Sequence, residues 1–407
     1  MKLRKTFCLA LALILLMPGA ALAEVDLSTP APTQPPAAPP QLSAAPLLDA
    51  PPIALSCAAA ILVEPESGQV LFEQNADVPR PVASVTKVMT ILLALEALAQ
   101  GRVSLEDEFS VSQAAAGMGG SQVLLDVGEV QPFSVLLKSA IVGSANDASV
   151  AIAEALYGSE SVFVERMNER ARELGLTNTH FVNCTGLPAE GQQTTARDVA
   201  VMTMAMLSYP AYFDFSTVWL DEVDHGDGRI TQLTNTNKLI RLYDGCDGGK
   251  TGSTNEAGYC ISATARRGDM RLIAVVLGAD TGSERFDIAA EMLDYGFAHY
   301  RLYPVAEKGT KVRGELPVTG GDSDGVPLVL DGDLTLLIQK GDEQGVQLVP
   351  DLPEAVEAPI AAGQEVGGVQ VVVDGRAVAR IPVVAAREVT AKGLKNALQR
   401  VVEYWGL

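Results

Sequence analysis

Hydrophobic and polar positions along the 407-residue chain fall into distinct regimes. The first is an apolar run, "FCLALALILLMPGA", behind Lys2, Arg4 and Lys5 and ahead of the small residues at 21–23. A basic start, a short apolar core and a small-residue exit predict an export signal over 1–23, with the mature chain beginning near Glu24. The run is short for a bilayer span, which argues against an uncleaved anchor. Residues 24–56 hold nine prolines among alanines. That composition predicts an extended tether, read as a spacer in preference to a PxxP docking segment.

Patterned order begins near Cys57. "AAAILVEPESGQVLFEQNAD" predicts two strands around a turn at Glu66, Ser67 and Gly68. The stretch 79–100, "PRPVASVTKVMTILLALEALAQ", is apolar on all sides and predicts a central buried helix from Pro81 to about Ala99. Residues 132–158 predict two helices broken at Gly143 and Ser144. Residues 258–279 predict a hairpin of buried strands around Arg267, Gly268 and Asp269, and 283–300 a closing helix. Strands, helices, strands and a last helix predict an α+β domain over 57–300.

From 301 the texture changes. "LVLDGDLTLLI" and "VVVDGRAVARIPVV" predict Asp-Gly hairpins at Asp331-Gly332 and Asp374-Gly375, within a small all-β domain over 301–385. The tail, 386–407, predicts an amphipathic helix. Leu394, Leu398, Val401, Val402 and Trp405 share one face, opposite Lys392, Lys395, Asn396, Gln399, Arg400 and Glu403. Such a helix lies in a membrane surface or docks on its own protein, and the basic residues and Trp405 favour the membrane. Truncation after about Arg387 is then expected to free the protein from membranes.

Charge narrows the function classes. Thirty Lys and Arg against 50 Asp and Glu set a formal charge of −20, and removal of the signal takes it to −23. That balance argues against a nucleic-acid partner, which needs a basic face to neutralise phosphates. Cys57, Cys184, Cys246 and Cys260 remain after cleavage. Their spacings match no zinc site, and sequence cannot assign a disulfide among them.

Three short motifs carry chemistry. Ser84 and Lys87 stand one helical turn apart at the mouth of the buried helix. A helix N-terminus stabilises developing negative charge, and a backbone N–H there can face an oxyanion. Serine needs a base, and lysine becomes one when burial and a second cation depress its pKa. "GSANDA" places Ser144 and Asn146 at the helix–helix break. "GGKTGSTNEAGYC" places Lys250, Thr251 and Gly252 ahead of the buried hairpin. Lys250 offers a fixed cation and Thr251 a hydroxyl for a substrate carboxylate, while Gly252 leaves room for a substrate backbone. Each motif is weak alone; the three in this order are specific.

With "ASVTKVMT", "VGSANDAS" and "GGKTGSTNEAGYC", supported by "FVNCTGLP", "TTARDVA", "NTNKLI" and "IPVVAAREV", the chain resembles the serine-type D-alanyl-D-alanine carboxypeptidases, the low-molecular-mass penicillin-binding proteins. The resemblance covers nearly everything from 57 to 407. It implies a penicillin-recognising α+β domain, an antiparallel sheet flanked by helices with the active-site helix central. Ser84 would be the acylated nucleophile and Lys87 its base. Ser144 and Asn146 would relay protons and hold the substrate amide, and Lys250 and Thr251 would bind the terminal carboxylate of D-Ala-D-Ala. The backbone N–H groups of Ser84 and Ser253 would form the oxyanion hole. Peptidoglycan stem peptides are the implied substrate, β-lactams the implied covalent inhibitors and the outer face of the cytoplasmic membrane the implied location; no metal or cofactor is implied. One departure is Gln192-Gln193, where relatives often carry His-Tyr, read as a surface-loop change.

Rival readings stay on the same scaffold. A β-lactamase needs a dedicated deacylating glutamate, and no Glu-x-x-Leu-Asn run follows Ser144. A D,D-endopeptidase cleaves a chemically similar bond and stays open. A non-enzymatic wall-binding protein would be expected to lose motif residues. A Ser-His-Asp hydrolase is disfavoured because His180, His225 and His299 adjoin none of the motifs.

Overall fold

Five strands form one antiparallel sheet in the order Gln69–Gln74, Cys57–Glu64, Met270–Ala279, Gly258–Arg267 and Cys246–Thr254. This computed structural model describes residues 41–43, 46–48, 50–373 and 375–393. Side chains alternate across a strand, so each face needs its own cover. Ala59, Ile61 and Val63 pack into one apolar cluster with the helices Lys87–Ala99 and Ala196–Leu207. Ala60 and Leu62 pack into another with the helix Glu284–His299. Burial on both faces is why these strands read as continuous apolar runs.

In the central helix every residue from 87 to 97 is buried. It does not begin at Pro81. A short 3-10 turn, Ala83–Thr86, precedes it, and Ala83 has φ +51°. A right-handed helix cannot run through a left-handed residue, so Pro81 stays exposed outside it. The helices Phe133–Val142 and Asn146–Tyr157 break where expected. Ser144 has φ +59° and turns the chain between them.

The second domain is a six-stranded sheet in the order Val346–Asp351, Glu365–Val373, Arg376–Ala385, Gly325–Leu330, Lys311–Thr319, Val356–Glu357. The hairpin expected at Asp331-Gly332 does not form. Leu334–Gln339 pairs instead with Tyr300–Ala306, and Asp331 N–H donates to the Pro382 carbonyl at 2.9 Å. A turn signal is local, and here a strand elsewhere in the chain supplied the pairing edge. At the second expected hairpin Val373 pairs with Arg376 and Gly375 has φ +77°; Asp374 lies outside the described residues.

Two boundaries also move. Residues 41–56, read from composition as tether, in part run along the edge strand Gln69–Gln74. Ser43, Leu47 and Leu48 donate backbone N–H groups to Gly68, Val70 and Leu71 at 2.8–3.0 Å. Leu48, Ile53 and Leu55 cover the cluster beneath the closing helix. An open sheet edge offers unpaired carbonyls that such a segment satisfies. The terminal helix expected from 386 does not start there. Val389 bridges Ile360 and Ala391 bridges Gly321, which ties 386–393 to the β domain. Residues 394–407 lie outside the described residues. Among the described residues no helix is long and apolar enough to cross a membrane.

Candidate active site

The three sequence motifs converge on one cleft at the mouth of the central helix. Lys87 Nζ donates to Ser84 Oγ at 3.1 Å, to Asn146 Oδ1 at 2.6 Å and to the Thr185 carbonyl at 2.7 Å. Lys250 Nζ donates to Ser144 Oγ at 2.7 Å and to its neighbour's carbonyl, Thr251 O, at 3.0 Å. Asn146 Nδ2 in turn donates to the Gly119 carbonyl at 2.6 Å, which orients its oxygen toward Lys87. Both ammoniums are buried, Lys87 at 0 % and Lys250 at 1 % exposure, while Ser84 stays half-buried.

The local backbone explains these positions. Left-handed Ala83 opens the 3-10 turn that carries Ser84 into the central helix, and left-handed Ser144 itself turns the chain between two helices. A non-glycine residue there costs on the order of 1–3 kcal/mol, held by surrounding packing. Gly252 has a structural reason to lack a side chain. A Cβ at 252 would sit 2.6 Å from the Val82 carbonyl and 2.7 Å from the Ser84 nitrogen. The missing side chain thus lets the Cys246–Thr254 strand abut the Ser84 turn. This brings the backbone of Gly252 beside the Ser84 amide, and the next residue, Ser253, is exposed.

Electrostatics follow from burial. Desolvation lowers Lys87 to about 7, offset in part by the charge of Asp147. Lys250 is held well below the usual lysine range by burial first, then by Lys87 and Arg285. Two buried ammoniums so placed oppose each other's charge. A neutral Lys87 relieves Lys250, and an incoming carboxylate favours the Lys250 cation further.

Arg285 is a residue the sequence reading missed. Its Nη1 donates to the Gly252 carbonyl at 3.0 Å, and its guanidinium stacks on Phe286 with 4.7 Å to the ring centroid. A lone arginine at a helix start carries no motif; only the packing of the helix Glu284–His299 against the hairpin places it. All the hydrogen-bond acceptors the described structure gives Lys87, Lys250 and Arg285 are neutral oxygens. No carboxylate accepts a hydrogen bond from these three groups among the described residues.

Gln192 and Gln193 lie in a surface loop, Gln193 exposed and Gln192 half-buried, and the Gln192 side chain ties that loop to its neighbour. Its Oε1 accepts from the Val182 and Asn183 amides at 2.9 and 2.8 Å. Gln193 contributes backbone to a bridge with His180. The histidines lie in other settings: His225 pairs with Glu129 and Thr231, and His299 with the Tyr295 carbonyl. Among the described residues no three His, Cys, Asp or Glu groups are placed to hold a metal ion. Cys57, Cys184, Cys246 and Cys260 are free thiols.

Comparison with known proteins agrees with this geometry. Residues 46–281 match the family model described as D-alanyl-D-alanine carboxypeptidase, and 300–391 match the penicillin-binding protein 5 C-terminal domain. The D-alanyl-D-alanine carboxypeptidase DacF of Bacillus subtilis is 39 % identical over 347 residues, covering 85 % of this chain and 89 % of the relative. DacA of Escherichia coli is 33 % identical over 356 residues, covering 84 % and 85 %. The crystal structure of penicillin-binding protein 5 from Haemophilus influenzae superposes with a TM-score of 0.73 at 30 % identity, covering 84 % of this chain and 99 % of that one. With both domains matched and the serine, lysine and Lys-Thr-Gly elements gathered in one cleft, the chain belongs to the D-alanyl-D-alanine carboxypeptidase family of low-molecular-mass penicillin-binding proteins.

Proposed function

We propose that the protein is a serine-type peptidase that removes the terminal D-Ala from peptidoglycan stem peptides through an acyl-enzyme on Ser84. The observation that carries the reading is Lys87 Nζ, buried, depressed to about 7 and 3.1 Å from Ser84 Oγ. A neutral Lys87 takes the hydroxyl proton as Ser84 Oγ attacks the D-Ala–D-Ala carbonyl. The tetrahedral oxyanion is met by the backbone N–H groups of Ser84 and Ser253. Lys250 and Thr251 hold the substrate's terminal carboxylate. The proton taken by Lys87 passes by way of Ser144, itself hydrogen-bonded to Lys250, to the leaving amine and so returns Lys87 to neutrality, while Asn146, hydrogen-bonded to Lys87, orients the scissile amide. D-Ala departs as the C–N bond breaks. Water then attacks the ester, gives a proton back through Lys87, and frees Ser84.

A β-lactam presents the same amide within a ring. Its amine stays tethered after the C–N bond opens, so Ser84 remains acylated. The amino-terminal pattern supports export, and the apolar positions Leu394, Leu398, Val401, Val402 and Trp405 support a peripheral membrane contact on the outer face.

The test is D-alanine release from a peptide ending in Lys-D-Ala-D-Ala, by the wild type and by Ser84→Ala. Release by the wild type alone supports the reading. Wild-type protein that is acylated by penicillin at Ser84 yet releases no D-alanine would redirect it toward an endopeptidase.

A further inference from the structure

We infer that Asn183 and Gln192 are positioning residues for the reacting pair: their side chains lock the 182–187 loop so that its Thr185 carbonyl fixes Lys87 and its Gly186 backs the Ser84 turn. The inference rests on the reading of Ser84 and Lys87 as nucleophile and base.

The loop has no regular secondary structure, so its backbone groups need other partners. Two amide side chains supply most of them. Asn183 Oδ1 accepts from the Gly186 amide at 2.7 Å, the Thr185 amide and hydroxyl at 3.2 Å, and Gln192 Nε2 at 3.1 Å. Asn183 Nδ2 donates to the Leu187 carbonyl at 2.9 Å. Gln192 Oε1 holds the amides of Val182 and Asn183. The loop so tied makes three contacts with the catalytic turn and helix. The Cys184 carbonyl accepts from Thr90 Oγ1 at 2.7 Å, and the Thr185 carbonyl accepts from Lys87 Nζ at 2.7 Å. Gly186, at φ +83°, lies so close that a Cβ would overlap the carbonyl of Ala83, the left-handed residue before Ser84.

The network therefore ends on both reacting groups. Thr185 O is one of three acceptors that set where Nζ points, and a misplacement of about 1 Å at such a group costs on the order of 10²-fold in rate. Both locking side chains are neutral. They orient the base without adding a carboxylate to the two already near it, Glu160, whose Oε1 accepts from the Cys184 amide at 3.0 Å, and Asp147, whose charge favours the Lys87 cation. The sealed loop also excludes water from Lys87, which maintains the desolvation that makes it a base near neutrality.

The experiment measures kcat and KM for D-alanine release, and the second-order rate of penicillin acylation, from pH 5 to 9.5. It compares wild type, Asn183→Ala, Asn183→Asp, Gln192→Ala and Gln193→Ala, with Ser84→Ala in parallel. Asn183→Ala is expected to lower kcat and acylation by about 10- to 100-fold with KM within about threefold. Its acidic limb should move up by about one pH unit, because water reaches the ammonium. Asn183→Asp keeps the acceptor, so its alkaline plateau should recover to within about threefold of wild type. Gln192→Ala should move the same way by about 3- to 10-fold, and Gln193→Ala should match wild type. A folded Asn183→Ala enzyme with the wild-type plateau and limb overturns the inference. So does a loss expressed in KM with the limb unmoved, which would assign the loop to substrate contact. If Asn183→Ala does not fold, Gln192→Ala decides by the same criteria. Acylation of Ser84→Ala would instead overturn the nucleophile assignment, whatever the loop variants do.

Discussion

The most exposed consequence of the site is its pH dependence. Lys87 is fully buried, and desolvation brings it to about 7 from the model-compound value of 10.5. A base must be neutral to accept the Ser84 proton. The sign is therefore fixed: activity is present above the folded pKa and lost as pH falls through it. With a pKa of 7, about nine-tenths of Lys87 is neutral at pH 8 and about 3 % at pH 5.5, a roughly 30-fold fall in acylation. An ordinary lysine would leave only about one molecule in a thousand competent at pH 7.5. The assay is the second-order rate of covalent labelling by a fluorescent penicillin, read on gels after short incubations across this range. Penicillin itself does not titrate there, so the limb reports the enzyme. A rate that is flat down to pH 5, or one that still climbs tenfold per unit between pH 8 and 10, would refute Lys87 as a base tuned by burial. Lys87→Arg provides the companion control. A guanidinium stays protonated, so the labelling rate should drop by about 10³-fold or more and lose its acidic limb.

Three other outcomes follow from packing. Gly252→Ala forces the hairpin strand away from Val82 and the Ser84 amide, so acylation should fall by about 10²-fold and the overpacking should cost about 1–3 kcal/mol in unfolding. Leu92→Ala empties a fully buried position in the helix core and should cost about 2–5 kcal/mol in urea unfolding, with unchanged labelling per folded molecule. Truncation for the membrane test belongs after Gly393, not Arg387, because the Val389 bridge and the 2.7 Å bond from Lys392 N–H to Gly320 O tie that segment to the β domain. The shortened protein should keep its stability and stop sedimenting with vesicles; continued sedimentation would remove the tail from the membrane reading.

The sequence alone determined the elements whose signals are local. The continuous apolar runs of the strands, the all-round apolar helix behind Ser84, the break at Gly143 and Ser144, and the hairpin around Gly268 are each set by neighbours within a few residues. Ser84, Lys87, Ser144, Asn146, Lys250 and Thr251 were legible for the same reason, since each sits in a short motif whose spacing reflects a helix turn or a strand face. Pairing between segments distant in the chain was not legible. Leu334–Gln339 chose Tyr300–Ala306 over its sequence neighbour, and the segment after 41 settled on a sheet edge its composition did not advertise. The roles of Gly252, Arg285, Asn183 and Gln192 were hidden as well. Each acts through a partner that tertiary packing alone brings near, a backbone turn for Gly252, a strand carbonyl for Arg285, and for the two amides a loop closed against Lys87. The depression of Lys87 belongs to the same class. A serine and a lysine one turn apart are written in the chain, but the absence of water around the ammonium is a property of the assembled core.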